Sequence, residues 1–252
     1  MEARVDEIAD RIYRISTLVD DVAPGGFSFN QFLIDAPEPM LFHTGMRGLF
    51  PLVREAIEKV MPVDRLRWIS FAHVEADECG AMNEFLAVAP QAQVAHSGLG
   101  CMVSVNDLAD RPPRPLGDGD VLELGGGPTG QRVLEIATPH VPHNWESHLM
   151  FEQQSATLFA GDLFTQLGDV APLTEGDIIE SAIQAEEIFR STSLGPAVPT
   201  TLRRLADLEP RTLAVMHGSS FHGDGGALLR TLADVYEQRF DCGPAHVELA
   251  AS

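Results

Sequence analysis

The sequence predicts an α/β (α+β) fold in which two mixed β-sheets pack face to face with helices on the outside. Three observations predict it: a run of short apolar or alternating segments at the start of the chain, a second such run in the middle, and helical periodicity between and after them. The chain has 252 residues, 44% of them hydrophobic, which is ample for a buried core.

Residues 11–19 (RIYRISTLV), 27–35 (FSFNQFLID) and 39–43 (PMLFH) are apolar or alternating runs separated by Pro and Gly, the pattern of an opening β-meander. GLFPLVREAIEKV then predicts a helix over about 48–61, with Leu49, Leu52, Val53, Ile57 and Val60 on one face. LRWISFA (66–72) reads as a buried strand running directly into His73. A helix is expected over 80–89, a short strand over 92–95 and a short helix over 98–108. After the Pro-rich turn RPPRPLGDGD, strands are expected at about 120–124, 131–137, 148–153 and 156–160. Helices follow at about 176–191, 198–207 and 225–239, interrupted by the strand TLAVM (212–216). No linker is long enough to divide the chain, so residues 1–252 read as a single domain.

A formal charge of −20 argues against nucleic acid or an anionic membrane as partner, because the mean surface potential repels polyanions. Three cysteines without CxxC spacing, Cys79, Cys101 and Cys242, suggest neither a disulfide framework nor a zinc ribbon. The N-terminal MEARVDEIADRIYRIS has no continuous apolar region, and no window is long enough to span a bilayer. A cytoplasmic protein is the expectation.

The chemistry is concentrated at strand ends. In FAHVEADECG (71–80), His73, Glu75 and Asp77 stand at i, i+2 and i+4 beyond an apolar strand, and an extended backbone would project all three to one side. TPHVPHNWESH (138–148) carries three histidines, His140, His143 and His148, between strands. TLFAGDLF (157–164) is an apolar strand ending in Gly161-Asp162, and RTLAVMHGSS (211–220) places His217 at the end of another. Four strand-to-loop junctions thus each offer a metal-competent side chain, as a site at one rim of a sandwich requires.

In this order, HxExD, then His, then Asp, then His, the residues resemble the metallo-β-lactamase superfamily, and within it the diiron domain of flavodiiron proteins and the stand-alone oxygen-binding diiron proteins. The superfamily's hydrolases usually carry HxHxDH; Glu75 is the departure that points to the diiron branch. The resemblance runs from about residue 10 to 240 and implies an αββα sandwich. It also selects His143, which precedes Asp162 by 19 positions (162 − 143 = 19) and is followed by Asn144-Trp145-Glu146. By this resemblance one iron takes His73, Glu75 and His143, the other Asp77 and His217, and Asp162 bridges them. His140 and His148 become supporting or structural residues. Glu78 stands where the family often has His, leaving open whether the second iron gains a carboxylate, keeps a solvent ligand or ignores this side chain. His43, in LFHTG, stands where many superfamily members have Asp; it reads first as a buried, hydrogen-bonded His. Only twelve residues follow Phe240, so the flavodoxin-like domain of flavodiiron proteins is expected to be missing and no FMN to be bound by this chain.

Three carboxylates against three neutral imidazoles favour a metal that can reach the 3+ state, so two iron ions are expected, with zinc or manganese as substitutes. The resemblance implies a non-haem diiron protein that binds, and with an external electron donor reduces, dioxygen or nitric oxide. The donor would be a flavoprotein or a rubredoxin-like protein, and a homodimer is the expected assembly. The alternatives are a dinuclear metallohydrolase acting on a thioester, lactone or phosphoester, and a non-enzymatic oxygen sensor.

Other features carry less. GGGPTG (125–130) contains GxGxxG, but Pro128 interrupts it and a strand follows, so it reads as a turn. Cys79 reads as a small buried thiol. His222 is a candidate for the pocket wall, as are Phe27, Phe29, Trp145 and Phe221.

Overall fold

The computed structural model describes residues 1–193 and 195–241. The first seven-stranded sheet runs in chain order: β1 (Ala3–Ala9), β2 (Ile12–Val19), β3 (Phe27–Ile34), β4 (Met40–Phe42), β5 (Trp68–Ser70), β6 (Gln93–Ser97) and β7 (Arg114–Leu116). β1 to β4 pair antiparallel as the expected meander, whereas β4 to β7 pair in parallel. Parallel neighbours need crossovers. These are helix α1 (Phe50–Glu58), the pair α2 (Ala76–Cys79) and α3 (Met82–Val88), and a helical segment in which α4 (Gly98–Gly100) passes through a π-helical stretch, Cys101–Val105, into α5 (Asn106–Leu108).

The second sheet contains β8 (Val121–Glu123), β9 (Arg132–Ala137), β10 (His148–Glu152), β11 (Thr157–Phe159), β12 (Leu173–Thr174), β13 (Thr212–Ala214) and β14 (Ser220–His222), in the order β12-β14-β13-β11-β10-β9-β8. It too is mixed: β8 to β11 form an antiparallel meander, and β11 pairs in parallel with β13. Helices α6 (Ile179–Phe189), α7 (Ala197–Ala206) and α8 (Gly225–Asp241) belong to this half.

Strand alternation explains how the first sheet is buried on both faces. Phe32, Ile34, Met40 and Phe42 join the core shared with the second sheet, beside Met150, Leu158, Phe159 and Leu213. The intervening Leu33 and Leu41 point the other way, into a core with Val53, Ala56 and Ile57 of α1 and Phe85 of α3. Pro51 opens α1, where a missing N–H costs nothing, and the helix buries Val53, Ala56 and Ile57 at helical spacing.

Several elements differ from expectation. The charged stretch at the N-terminus is a strand, because β1 pairs with β2 over most of its length and needs only Ala3 and Ile8 buried to dock. The Pro-rich turn contains β7, whose Pro115 is tolerated at a sheet edge. The short β12 and β14 carried no periodicity long enough to read. The helix expected over 80–89 is α3, and the short α2 over Ala76–Cys79 precedes it where an extended run was expected. GGGPTG forms a 3-10 turn over Gly127–Thr129 leading into β9, in line with the turn reading. Cys79 and Cys101 are free thiols; Cys242 lies outside the described residues. No described helix is long and apolar enough to cross a membrane.

Candidate metal centre

The site is assembled at one rim of the sandwich by the chain segments that leave β5, β9, β11 and β13. Buried Phe71 and Ala72 carry the chain from β5 to His73. The Ala72 carbonyl accepts the His148 N–H at 2.9 Å, so the first sheet is tied to β10 immediately before His73. On the other side, the Gly161 carbonyl accepts the Met216 N–H at 3.0 Å, and the Met216 carbonyl accepts the Asn30 N–H at 3.0 Å. The segments bearing Asp162 and His217 are thereby joined to β3. Gly161 has φ +52°, and a Cβ there would lie 3.0 Å from the Ala72 Cβ, so close approach of the two sheets needs glycine.

His73, Glu75, His143 and Asp162 each offer one ligand atom, and these atoms lie within 4.8 Å of one another. His73 Nε2 is 2.8 Å from His143 Nε2, 3.2 Å from Glu75 Oε2 and 3.6 Å from Asp162 Oδ2. His143 Nε2 is 3.8 Å from Glu75 Oε2 and 3.6 Å from Asp162 Oδ2. The second oxygen of Asp162 turns the other way, with Oδ1 at 3.3 Å from His217 Nε2, which is itself 3.4 Å from Asp77 Oδ2. Donors about 2.1 Å from a common ion in a tetrahedral arrangement sit roughly 3.4 Å apart, so both groups have the spacing of a metal shell. All six residues singled out in the sequence converge here.

One detail corrects the local geometry expected at 73–77. Glu75 is extended, with φ −133° and ψ 158°, but α2 begins at Ala76. Asp77 therefore does not project beside His73 and Glu75; the helical turn rotates it toward His217. Glu78, about 100° further around the same turn, points inward and is fully buried.

The electrostatics describe a site that demands positive charge. Burial opposes protonation of His73, yet the Glu78, Glu75 and Asp162 carboxylates outweigh it and raise His73 to about 10. His217 reaches about 10 as well, its burial outweighed by Asp162 and Asp77. Hydrogen bonds from His143 and His73 draw Glu75 down to about 2. Asp162 is lowered despite its burial, by His217 first and then His73 and His143. Protons on two imidazoles and a cation bound among them are interchangeable answers to the same field.

The remaining candidates separate clearly. His217 Nδ1 donates to the Ser28 carbonyl at 2.8 Å, which leaves Nε2 for the site, and its ring stacks on Phe27 at 4.2 Å between centroids. Phe29 meets the same ring edge-on at 5.3 Å. His148 is buried and structural: Nδ1 pairs with Glu135, and Nε2 donates to the Phe71 carbonyl at 2.8 Å. His140 is exposed at the surface. His222, on β14, is exposed and faces Thr212 at 3.2 Å, so it is not a pocket residue. Phe221 lies in the inter-sheet core and Trp145 is largely exposed. Of the candidate walls Phe27 lines the cleft over the site, about 480 Å³, and its other walls are Phe189, Thr165 and Ser191. Thr165, Phe189 and Ser191 escaped the sequence reading, because loop and helix-end residues carry no periodic signal. Glu146, used in the sequence only as part of the run that follows His143, has a role the sequence did not show: its carboxylate accepts the Val74 N–H at 3.2 Å and steadies the His73–Asp77 segment.

A family model described as "ODP family beta lactamase" matches residues 27–218, more than half of the chain. The chain belongs to the ODP family of beta lactamases. Among curated proteins, this family member is 24% identical over 146 residues to an anaerobic nitric oxide reductase flavorubredoxin of Pectobacterium carotovorum, a match covering 56% of the chain and 28% of that protein. Among solved structures it resembles the metal-soaked Flv1 flavodiiron core of Synechocystis, with TM-score 0.79 and 21% identity, covering 95% of this chain and 61% of that one. The rubredoxin oxygen:oxidoreductase of Desulfovibrio gigas gives TM-score 0.76 at 15% identity, covering 96% and 63%. The ODP-family chain therefore has the flavodiiron core fold. Matched stretches span only 24% to 33% of the curated relatives' own lengths.

Proposed function

We propose that this chain is a non-haem diiron protein that binds and reduces dioxygen or nitric oxide. The observation that carries the reading is Asp162: one carboxylate oxygen faces His73 and His143, and the other faces His217, as a bridge between two ions requires. On this reading His73, Glu75 and His143 hold the first iron, and Asp77 and His217 the second. An iron pair held there would supply redox equivalents for a diatomic gas.

The chain's own residues do the rest. Ser28 presents Nε2 of His217 by taking its Nδ1–H. Phe27 and Phe189 give the cleft apolar walls suited to a small gas and offer little to a charged phosphoester. The three carboxylates Glu75, Asp77 and Asp162 favour a trivalent state over zinc chemistry. Electrons would come from a flavoprotein or rubredoxin-like donor; the four curated relatives carry flavin or flavo in their names, and one of them rubredoxin as well.

The test is to load the protein anaerobically with ferrous iron, count the metal, and record the optical spectrum before and after mixing with oxygen or nitric oxide. Two irons per chain and a new near-ultraviolet absorption are expected. Two irons with no response to either gas would overturn the reading in favour of a metal-dependent hydrolase.

A further inference from the structure

The side of His73 that faces away from the site meets a second, fully buried group. Glu78 Oε2 accepts the His73 backbone N–H at 2.6 Å. Its Oε1 lies 3.2 Å from His73 Nδ1 and 3.4 Å from His43 Nε2, and all three side chains are completely buried. Glu78 Oε1, His73 Nδ1 and both ring nitrogens of His43 are buried without a hydrogen-bond partner among the described residues, so the three side chains meet as close polar contacts whose hydrogen-bonding capacity is unspent. The main chain locks the arrangement, because the Glu78 carbonyl accepts the Thr44 N–H at 2.6 Å and the Thr44 hydroxyl at 3.1 Å. β4 and α2 are thus joined through the residues that flank this contact.

These are also the two positions at which the sequence leaves the pattern it resembles, with an acid at 78 where His is common and a His at 43 where Asp is common. Sequence alone places them 35 residues apart with no reason to connect them (78 − 43 = 35). In the fold they face each other. An acid and an imidazole thus meet here in the opposite order along the chain from the one the resemblance implies.

Resting on the dinuclear metal reading above, we propose that Glu78 and His43 are a buried positioning pair for His73: Glu78 accepts the His73 Nδ1–H, so that Nε2 is presented to the first metal, and His43 orients Glu78. Glu78 is accordingly not a ligand, since its carboxylate is spent on the far side of the ring. A ligand imidazole whose second nitrogen donates to a carboxylate is held in one tautomer and made more basic. His43 matters because an isolated carboxylate at this depth would be costly without a facing polar group.

The test uses zinc alone as the probe, on the full chain, with Glu78→Gln, Glu78→His, His43→Asp and the double variant His43→Asp/Glu78→His. Glu78→Gln, nearly isosteric, is expected to weaken the first zinc by about 10–100-fold while leaving the second within a few fold. Nitrogen NMR of zinc-loaded protein should show His73 protonated at Nδ1 in the wild type and lose that signature in Glu78→Gln, a change that mere loosening of the fold does not produce. His43→Asp sets two carboxylates face to face and Glu78→His removes the acid, so each alone should weaken the first zinc; the double variant should recover at least tenfold over the worse single. Unfolding midpoints of the metal-free proteins should follow the same cycle. Wild-type zinc affinity and an unchanged His73 signature in Glu78→Gln, with two zinc ions bound, would overturn this inference and leave the metal reading standing. A double variant no better than the worse single would overturn the pairing. Wild-type protein that binds no metal would overturn both.

Discussion

The two halves of the site are built differently. The first gathers four donors, from His73, Glu75, His143 and one oxygen of Asp162, within 4.8 Å of one another. Among the described residues the second has Asp77, His217 and the other Asp162 oxygen. Their supports differ in kind as well. His73 is backed by a buried carboxylate, whereas His217 is backed by a main-chain carbonyl and the face of Phe27. Four charged or imidazole donors could hold a metal ion more firmly than three. The cleft walled by Phe27 and Phe189 is lined by Glu75 and His143 of the first group as well as by Asp77 and His217 of the second, so the two differ in donor number and not in access.

The largest perturbation should come from the residue the halves share. Asp162→Ala removes an oxygen from both, and metal analysis should find at least one ion lost, with the remainder weakened. A result of two ions retained with wild-type affinity would show that the halves are independent. His217→Ala should be narrower: the second ion is lost and the first stays, measured by stoichiometry in the presence of a competing chelator.

The shared field gives a pH dependence. In the metal-free protein His73 and His217 are held up to about 10, so at neutral pH both carry protons that a metal must displace. Metal binding therefore releases protons, and apparent affinity rises as pH rises toward 10 and falls as pH falls. Calorimetry in buffers of different ionisation enthalpy should find a release of one to two protons; no release would mean these rings are already neutral. Phe27→Leu should have a smaller effect, because it removes a stacked ring worth about 1 kcal/mol while keeping apolar bulk. The expected outcome is a loss of less than tenfold confined to the second ion. His140→Ala should change nothing, since its side chain is exposed away from the cleft; loss of an ion in that variant would show that the wrong histidine of 138–148 had been assigned.

How much of this was legible differs between segments. Long apolar strands such as 27–35 and 66–72 announce themselves because burial on both faces demands continuous hydrophobicity. β1, β7, β12 and β14 did not, since edge or two-residue pairings need little apolar surface. The six convergent side chains were readable because each follows an apolar strand or lies in a histidine-rich loop, where a rigid scaffold can aim it. Thr165, Phe189 and Ser191 were not readable, being brought to the cleft only when their loops pack over it.

The sequence by itself determined which side chains can bind a metal, their order, and the two-sheet character, because donor chemistry and strand periodicity are local properties. Tertiary structure decided the division of labour. The turn of α2 sent Asp77 toward His217 and Glu78 behind His73, and the joining of β4 to α2 brought His43 to meet it. No local pattern encodes those choices, because a one-residue step around a helix moves a side chain by about 100° and the partner it then meets comes from another strand.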